Sequence, residues 1–266
     1  MVYPVSHDIP NPSEPADVQA CQHELDLALA VELQAALMPA NWTIDCRNYQ
    51  AAALNRMSGR VGGDFCEFIR LNADQVAAVV GDVDGHGVRA SLLMARIMGL
   101  LRSRPPECSR PQAIVGNVNE MLLDLGDKLG TPMTCSLFYV VLDSPTNTAF
   151  FVNAGLPLPI LSDRRSGLAI RLGPEGSPLG VRDFVVTEDC HTFTPSERLT
   201  ICTDGVHRAA NCKDKPFGID RLETVLGHFT QASANACVHA IFAAVDKFRQ
   251  AARQRDDETV LIIDRL

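Results

Sequence analysis

The sequence contains no long apolar run and no cluster of basic residues. Its longest apolar runs, such as Val76–Val80 and Leu137–Leu142, are far shorter than the stretch that a membrane-spanning helix requires. The net charge is −8 at pH 7, and the lysines and arginines form no block. Binding to nucleic acid depends on clustered positive charge that neutralises phosphates. We therefore expect no membrane-spanning segment and no nucleic-acid partner.

The sequence also lacks paired cysteines and a recognisable leader. Its 9 cysteines are scattered, odd in number and without a C-x-x-C pair. This pattern is typical of buried, reduced thiols and argues against a disulfide framework or a zinc site. The first residues, "MVYPVSHDIPNPSEPADVQ", contain neither the basic nor the apolar region of a secretory signal. We therefore expect a cytoplasmic protein.

The chain divides into a tail, a helix and one large domain. Residues 1–16 contain four prolines and few apolar side chains, which predicts a disordered tail. Residues 17–39 predict a linker helix, which Asp17 caps and Pro39 ends. The chain is 46% hydrophobic, and residues 40–266 are numerous enough to bury a substantial core as one domain.

The predicted linker helix carries a narrow stripe of leucines. Leu25, Leu29 and Leu33 recur at helical spacing, with charged residues on either side. We expect this stripe to contact either the domain that follows or a second copy of the same helix. Because only a short tail precedes the helix, we expect no sensor domain. Control would then come from a regulatory partner or a homodimer that acts through the helix.

Strands in hairpins and helices in pairs predict an antiparallel α+β fold. "FCEFIRL" and "QVAAVVGDV" flank one turn, and "TCSLFYVVLD" and "NTAFFVNAG" flank another. Two helical segments lie between these hairpins, and two more precede the final strand, "TVLIIDRL". Further strands are predicted in "TIDCRNYQAA", at Pro159–Leu161, Leu168–Leu172 and Phe184–Thr187, and in "RLTICTDGV". This order favours antiparallel sheets over a succession of parallel β-α-β units.

Acidic residues stand at the ends of several apolar strands. If the first hairpin closes at its predicted turn, antiparallel pairing sets Asp64 opposite Asp82. Two carboxylates on one sheet face repel each other unless one is protonated or a cation lies between them. Asp204 follows another apolar strand, and Asp256 and Asp257 precede the last one. Oxygen ligands of this kind suit Mg²⁺ or Mn²⁺.

Eight sequence blocks occur in a distinctive order and spacing. They are "VGGDFCEF", "GDVDGHGVRASLLMA", "MTCSLFYVVLD", "FVNAGLPLPIL", "SPLG", "LTICTDGV", "KPFGIDRL" and "DDETVLII". Jointly they resemble the metal-dependent protein serine/threonine phosphatases (PPM, or type 2C), in their SpoIIE-like bacterial branch. The resemblance extends from about Leu33 to the C-terminus. It implies a phosphatase domain over residues 40–266, built as a four-layer α/β/β/α sandwich of two mainly antiparallel sheets.

The resemblance assigns the acidic residues to two divalent cations, Mn²⁺ or Mg²⁺, at one edge of the sheets. It implies that Asp82 bridges both cations and that Val83 offers its backbone carbonyl to one of them. Asp257 is adjacent and supports the ligands. The implied catalytic carboxylates are Asp64, Asp82, Asp204 and Asp256, and the implied metal-binding residues are these four together with Val83 and Asp257. Two cations held in this way activate water for in-line attack on phosphorus, so no protein nucleophile is required.

The loops that surround these ligands come from the two blocks that contain Asp64 and Asp82. The predicted site loops comprise Gly63, Asp84, Gly85, His86 and Gly87. Gly85 and Gly87 permit a sharp turn and a close approach of the backbone to a ligand. The helix that follows directs its positive end to the site. His86 is expected to pack beside the site as a loop residue.

The resemblance also implies a substrate. In this branch it is phosphoserine or phosphothreonine on a signalling protein, usually a STAS-domain anti-sigma-factor antagonist in a partner-switching pathway. We expect the same kind of partner here. Because the chain is acidic overall, we expect recognition by shape or by local patches of charge.

Several positions depart from the family's pattern, and two alternatives stay open. They are Glu67 for Asp, Asp84 for Ser, Leu156 for His, and His207-Arg208 for a small residue and Glu. The departures motivate the alternative of a catalytically weak or idle binding module in the same kind of switch. The other alternative is a haloacid-dehalogenase-type phosphatase, because "VVGDVDG" also resembles the first motif of those enzymes. In that case Asp82 is the nucleophile, Asp84 is the acid, and the sheet is parallel.

Overall fold

The computed structural model describes residues 16–38, 41–46, 48–103, 110–182 and 185–266. The tail predicted over residues 1–16 therefore lies outside the described residues, apart from Ala16. Among the helices of the described residues, none is both long enough and apolar enough to cross a membrane.

The described residues form six helices and eleven strands. The helices are α1 (Ala16–Leu37), α2 (Gly87–Arg102), α3 (Pro111–Leu129), α4 (Asp204–His207), α5 (Ile219–His228) and α6 (Ala234–Arg249). The strands are β1 (Asn41–Cys46), β2 (Tyr49–Arg56), β3 (Phe65–Arg70), β4 (Gln75–Val83), β5 (Cys135–Asp143), β6 (Thr148–Ala154), β7 (Ile160–Asp163), β8 (Ala169–Arg171), β9 (Asp189–Thr192), β10 (Glu197–Cys202) and β11 (Glu258–Arg265).

The strands form two antiparallel sheets, as predicted. One sheet has six strands in the order β1-β2-β11-β10-β7-β8, and the other has five in the order β3-β4-β5-β6-β9. Neighbouring strands in both sheets run antiparallel. The predicted α+β class is therefore confirmed.

Helices cover the outer face of each sheet. α2 and α3 pack on the five-stranded sheet, and α6, with α5 against it, packs on the six-stranded sheet. A large core contains Phe138 of one sheet and Ile263 of the other, together with Met94 of α2. A smaller core, which includes Leu222 and Ile241, lies between the six-stranded sheet and its helices. The predicted four-layer α/β/β/α sandwich is confirmed.

Helix α1 packs against α2, outside the sandwich. Its leucine stripe is exposed: Leu25 is 54%, Leu29 is 50% and Leu33 is 67% accessible. Gln34 and Met38 are buried, so they mark the face that the helix turns to the domain. The helix therefore contacts the domain, as predicted, but through residues other than these leucines. Contact with a second copy stays a prediction.

Two strand predictions need correction. "TIDCRNYQAA" is not one strand, because the chain reverses at Asn48, a residue type common in tight turns, and pairs Cys46 with Tyr49. No strand covers residues 185–187, the described part of the strand predicted at Phe184–Thr187. The strand lies further on, at β9, whose residues are mostly exposed and polar. Such an edge strand lacks the apolar alternation on which the prediction depends.

Candidate metal centre

Antiparallel pairing brings the ends of four strands to one edge of the sandwich. In the five-stranded sheet β3 begins where β4 ends, and in the six-stranded sheet β10 ends where β11 begins. Phe65 pairs with Gly81, so the register continues to set Asp64 opposite Asp82. The predicted register of the first hairpin is therefore confirmed.

The other acidic residues stand where the six-stranded sheet meets this edge. Asp204 begins α4, two residues after the end of β10, and Asp256 and Asp257 immediately precede β11. Contacts of β3 with β2 and β11 join the edges of the two sheets. The fold therefore brings together aspartates from four separate parts of the chain.

Asp64 is the most deeply buried of these carboxylates, with 1% of its surface accessible. The hydroxyl groups of Thr203 and Thr259 both donate to its Oδ2, each at 2.7 Å. Thr203 Oγ1 accepts a hydrogen bond from the N–H of Thr259, and Thr259 Oγ1 accepts one from Asn55 Nδ2. These bonds fix one oxygen of Asp64 and tie the two sheets together at the site.

Burial and mutual repulsion raise the pKa values of these carboxyl groups. Burial, and then the charge of Asp82, raises the pKa of Asp64 well above its ordinary value. Burial, and then the charges of Asp204 and Asp256, raises the pKa of Asp82 to about 7. Burial is also the largest cause of the raised pKa of Asp256. Divalent cations would relieve this repulsion, and an all-oxygen donor set suits Mg²⁺ or Mn²⁺.

Arg208 takes up part of the negative charge of the site. Its Nη1 lies 2.5 Å from Oδ2 of Asp204, while 72% of its side chain remains exposed. Among the described residues, no three His, Cys, Asp or Glu side chains are gathered into one ligand set. The carboxylates are therefore neighbours rather than one assembled ligand set, and Asp204 is paired with Arg208.

Asp257 organises the loop that leads into β3. Its Oδ1 accepts hydrogen bonds from the N–H and the hydroxyl of Ser58, and its Oδ2 accepts one from the N–H of Gly63. An ideal Cβ on Gly62 would lie 1.8 Å from Asp257 Oδ2, so a larger residue does not fit there. This carboxylate is engaged by the loop, which matches a supporting role better than that of a free ligand.

At the turn after β4, backbone atoms rather than large side chains approach the site. Gly85 and Gly87 both have positive φ, at 105° and 72°, which side-chain-bearing residues rarely adopt. The carbonyl oxygen of Val83 would lie 2.6 Å from a Cβ on Gly63, so the two segments touch through their backbones. His86 is the N-cap of α2, and its side chain makes no capping hydrogen bond.

Three of the residues that depart from the family pattern have local partners away from the proposed ligands. Glu67 forms an ion pair with Arg102 of α2. Asp84 Oδ2 accepts a hydrogen bond from the hydroxyl of Thr134 at 3.1 Å. Leu156 is buried, and its backbone is held on both sides by the amide of Asn153. None of these contacts blocks the aspartates.

Sequence reasoning missed several residues that build the site. Thr203, Thr259 and Gln34 contact site residues only because segments distant in sequence become neighbours in the fold. A signal existed for the two threonines, since each is a hydroxyl residue within three positions of a predicted ligand.

The haloacid-dehalogenase alternative is wrong, because β4 pairs antiparallel with both of its neighbours and that site needs a parallel sheet.

Comparison with known proteins identifies the family. The family model of Stage II sporulation protein E (SpoIIE) matches residues 72–266. The chain belongs to this family. It is 28% identical over 235 residues to Protein IcfG of Synechocystis sp., and 22% identical over 248 residues to the phosphoserine phosphatase RsbP of Bacillus subtilis. These matches cover 78% and 91% of this chain but only 37% and 58% of those proteins.

Solved structures of PP2C phosphatase domains share the fold. The SiaA-PP2C domain of Pseudomonas aeruginosa has a TM-score of 0.78 at 21% identity, over 95% of this chain and 100% of that one. The PP2C domain of SpoIIE from Bacillus subtilis, with a fragment of its regulatory domain, has a TM-score of 0.72 at 17% identity. That match covers 84% of this chain and 64% of the other. The predicted PPM phosphatase fold is confirmed.

Proposed function

We propose that this chain is a metal-dependent protein serine/threonine phosphatase. The observation that carries the proposal is the convergence of four aspartates on one edge of the sandwich, where their burial and proximity raise the pKa values of Asp64, Asp82 and Asp256. Such a cluster is costly unless cations compensate it. Membership of the SpoIIE family and similarity to a phosphoserine phosphatase support the same activity.

The proposed ligands of two divalent cations, Mn²⁺ or Mg²⁺, are Asp64, Asp82, Asp204 and Asp256, with the carbonyl of Val83. When bound, the cations would supply a Lewis acid for water and neutralise charge on the phosphoryl group. The charges of Asp204, Asp256 and Asp257 all act on Asp82, which is the ligand proposed to serve both cations. Thr203 and Thr259 orient Asp64 through their hydrogen bonds to its Oδ2. Asp257 holds the preceding loop in position.

The proposed substrate is phosphoserine or phosphothreonine on a cytoplasmic signalling protein. A STAS-domain anti-sigma-factor antagonist in a partner-switching pathway is the substrate that the family resemblance favours. The exposed leucines of α1 support a homodimer or a regulatory partner that binds this helix. Light scattering of the full chain and of a Leu29→Glu variant tests the dimer: a monomer at high concentration in both would contradict it.

Phosphate release tests the activity and the substrate separately. We expect Mn²⁺-dependent release from an aryl phosphate and from a phosphorylated STAS protein, and loss of both in Asp204→Asn. Release from the aryl phosphate with every STAS phosphoprotein left intact would contradict the substrate alone. No release from either, with metal bound in a calorimetric titration, would contradict the phosphatase.

A second candidate is a binding module that has lost most of its catalytic rate. The observation that favours it is the ion pair between Arg208 and Asp204, which competes with a cation for one of the proposed ligands. The retained aspartates count against it. Such a module would bind the unphosphorylated and phosphorylated partner without metal-dependent turnover.

A further inference from the structure

A groove runs beside the proposed metal edge, with a volume of about 870 Å³. Four segments line it: α1 through Leu27, the loop over residues 58–61, the turn over residues 85–88, and the loop over residues 253–257. Asp256 and Asp257 are among the residues that line it. A peptide whose phosphorylated residue reached the aspartates would therefore have this groove beside it.

The groove carries a local excess of positive charge on an acidic protein. Arg60, Arg253 and Arg255 all line it, whereas the whole chain has a net charge of −8. Arg253 is exposed and has no ion-pair partner among the described residues. Of the two aspartates that line the groove, Asp256 is a proposed cation ligand and Asp257 accepts three hydrogen bonds from the loop over residues 58–63.

The other two arginines, Arg60 and Arg255, form ion pairs with exposed carboxylates. Arg60 pairs with Glu24, whose side chain is 73% exposed, and Arg255 pairs with Asp214, whose side chain is 76% exposed. Exposed pairs of this kind contribute little to stability, so carboxylates of a ligand could replace them at small cost. Both arginines are therefore available to an acidic partner.

The loop that presents Arg253 and Arg255 is held in place by the residue between them. Gln254 Nε2 donates to the carbonyl of Arg56 at 2.9 Å and to the carbonyl of Asp256 at 2.8 Å. The first bond anchors the loop to β2, and the second ties it to a proposed ligand. The two guanidinium groups are thus carried on a loop whose backbone is fixed relative to the metal edge.

We infer that this groove, defined by Arg60, Arg253 and Arg255, binds an acidic segment of the phosphoprotein substrate next to its phosphorylated residue. The inference rests on the proposed function, and it adds a preference for carboxylates that flank the phosphoserine. Since the protein as a whole repels an acidic partner, the attraction has to be local. Charge complementarity within the groove supplies it.

Two phosphoserine peptides of equal length test the inference, one with glutamates flanking the phosphoserine and one with glutamines in their place. We expect the Mg²⁺-loaded protein to prefer the acidic peptide by about tenfold in kcat/KM at low salt, the combined effect of a few exposed charge pairs. The preference should shrink in high salt because exposed charges are screened. The Arg60→Gln, Arg253→Gln double variant should lower it to about twofold or less.

The ratio of the two peptides is the readout, because a general loss of activity would leave it unchanged. Arg70→Gln is the matched control: Arg70 is exposed, lacks a carboxylate partner among the described residues, and lies at the opposite end of β3. A wild-type protein that does not distinguish the peptides, or a double variant that keeps the preference, overturns the inference.

Fluorescence anisotropy separates the groove from catalysis. Labelled peptides with a phosphonate in place of the phosphate cannot be hydrolysed, so their affinities are measurable whether or not the protein is a phosphatase. A preference for the acidic phosphonate that the double variant loses would support the groove even if phosphate release failed. Normal phosphate release with equal affinity for both phosphonates would overturn the groove and leave the proposed function standing.

Discussion

The side-chain amide of Gln34 makes two hydrogen bonds with the backbone of Gly62. Its Nε2 donates to the Gly62 carbonyl at 3.0 Å, and its Oε1 accepts from the Gly62 N–H at 3.1 Å. Gln34 belongs to α1, and Gly62 lies two residues before the proposed ligand Asp64. The position of α1 is therefore linked to the loop that delivers a carboxylate to the site.

Replacing Gln34 should weaken both the fold and metal binding. Gln34→Leu leaves two buried backbone groups of Gly62 without partners, which costs about 1–3 kcal/mol of the free energy of unfolding. Loss of a supporting contact of this kind typically lowers metal affinity about 10-fold or more. Mn²⁺ titration by calorimetry measures the effect, with the exposed Glu32→Gln on the same helix as control. Unchanged affinity in Gln34→Leu would contradict the link.

Replacing Asp82 should abolish phosphate release and leave the fold intact. Asp82→Asn removes the charge that would serve both cations, and since even supporting residues change activity about 10–100-fold, we expect a loss above about 100-fold. Circular dichroism should show an unchanged fold. Asp84→Ser is the control, because Asp84 contacts Thr134 rather than the other carboxylates, and it should retain most of the activity. Full activity in Asp82→Asn would contradict the two-metal site.

The parts of the fold that the sequence predicts are those in which local pattern decides the structure. The hairpin of β3 and β4 has apolar strands and turn residues, so its register and the pairing of Asp64 with Asp82 follow from the sequence. The edge strand β9 could not be found, because its residues are exposed and polar. Contacts between the sheets, such as Thr203 with Asp64, depend on packing that no local pattern specifies.

The stability of the metal-free protein should depend on pH through Asp82. Its pKa is about 7 in the folded protein, against an ordinary value of 3.8. The folded state therefore binds this proton more tightly than the unfolded state, and its stability falls as pH rises from about 4 to about 7. The effect of Asp82 between pH 8 and pH 6 should be on the order of 1 kcal/mol, in the direction of greater stability at pH 6.

Thermal unfolding with a chelator present measures this dependence. The comparison with Asp82→Asn is informative, because most other groups titrate alike in both proteins and the difference reports Asp82 together with its effect on Asp64. Asp82→Asn should be the more stable protein at pH 8, and its advantage should shrink at pH 6. With Mn²⁺ added, the pH dependence of the wild-type stability should reverse, because protons compete with the cation for the same carboxylates. An advantage that is independent of pH would contradict the raised pKa.

Removing Arg208 should distinguish the phosphatase from an idle binding module. In the structure its guanidinium neutralises Asp204, the residue that a cation would need. Arg208→Gln removes this competitor, so we expect Mn²⁺ to bind several-fold more tightly and half-maximal phosphate release to need less metal, as for the loss of an exposed ion pair. Arg171→Gln is the matched control. Arg171 and Arg208 line one cavity beside Asp204, but Arg171 pairs with Glu223 instead of a proposed metal ligand. Unchanged affinity in Arg208→Gln would mean that the ion pair does not restrain the site. Tighter binding without any phosphate release would instead favour the binding module, because a site that holds its metal and still fails to turn over lacks something other than its cations.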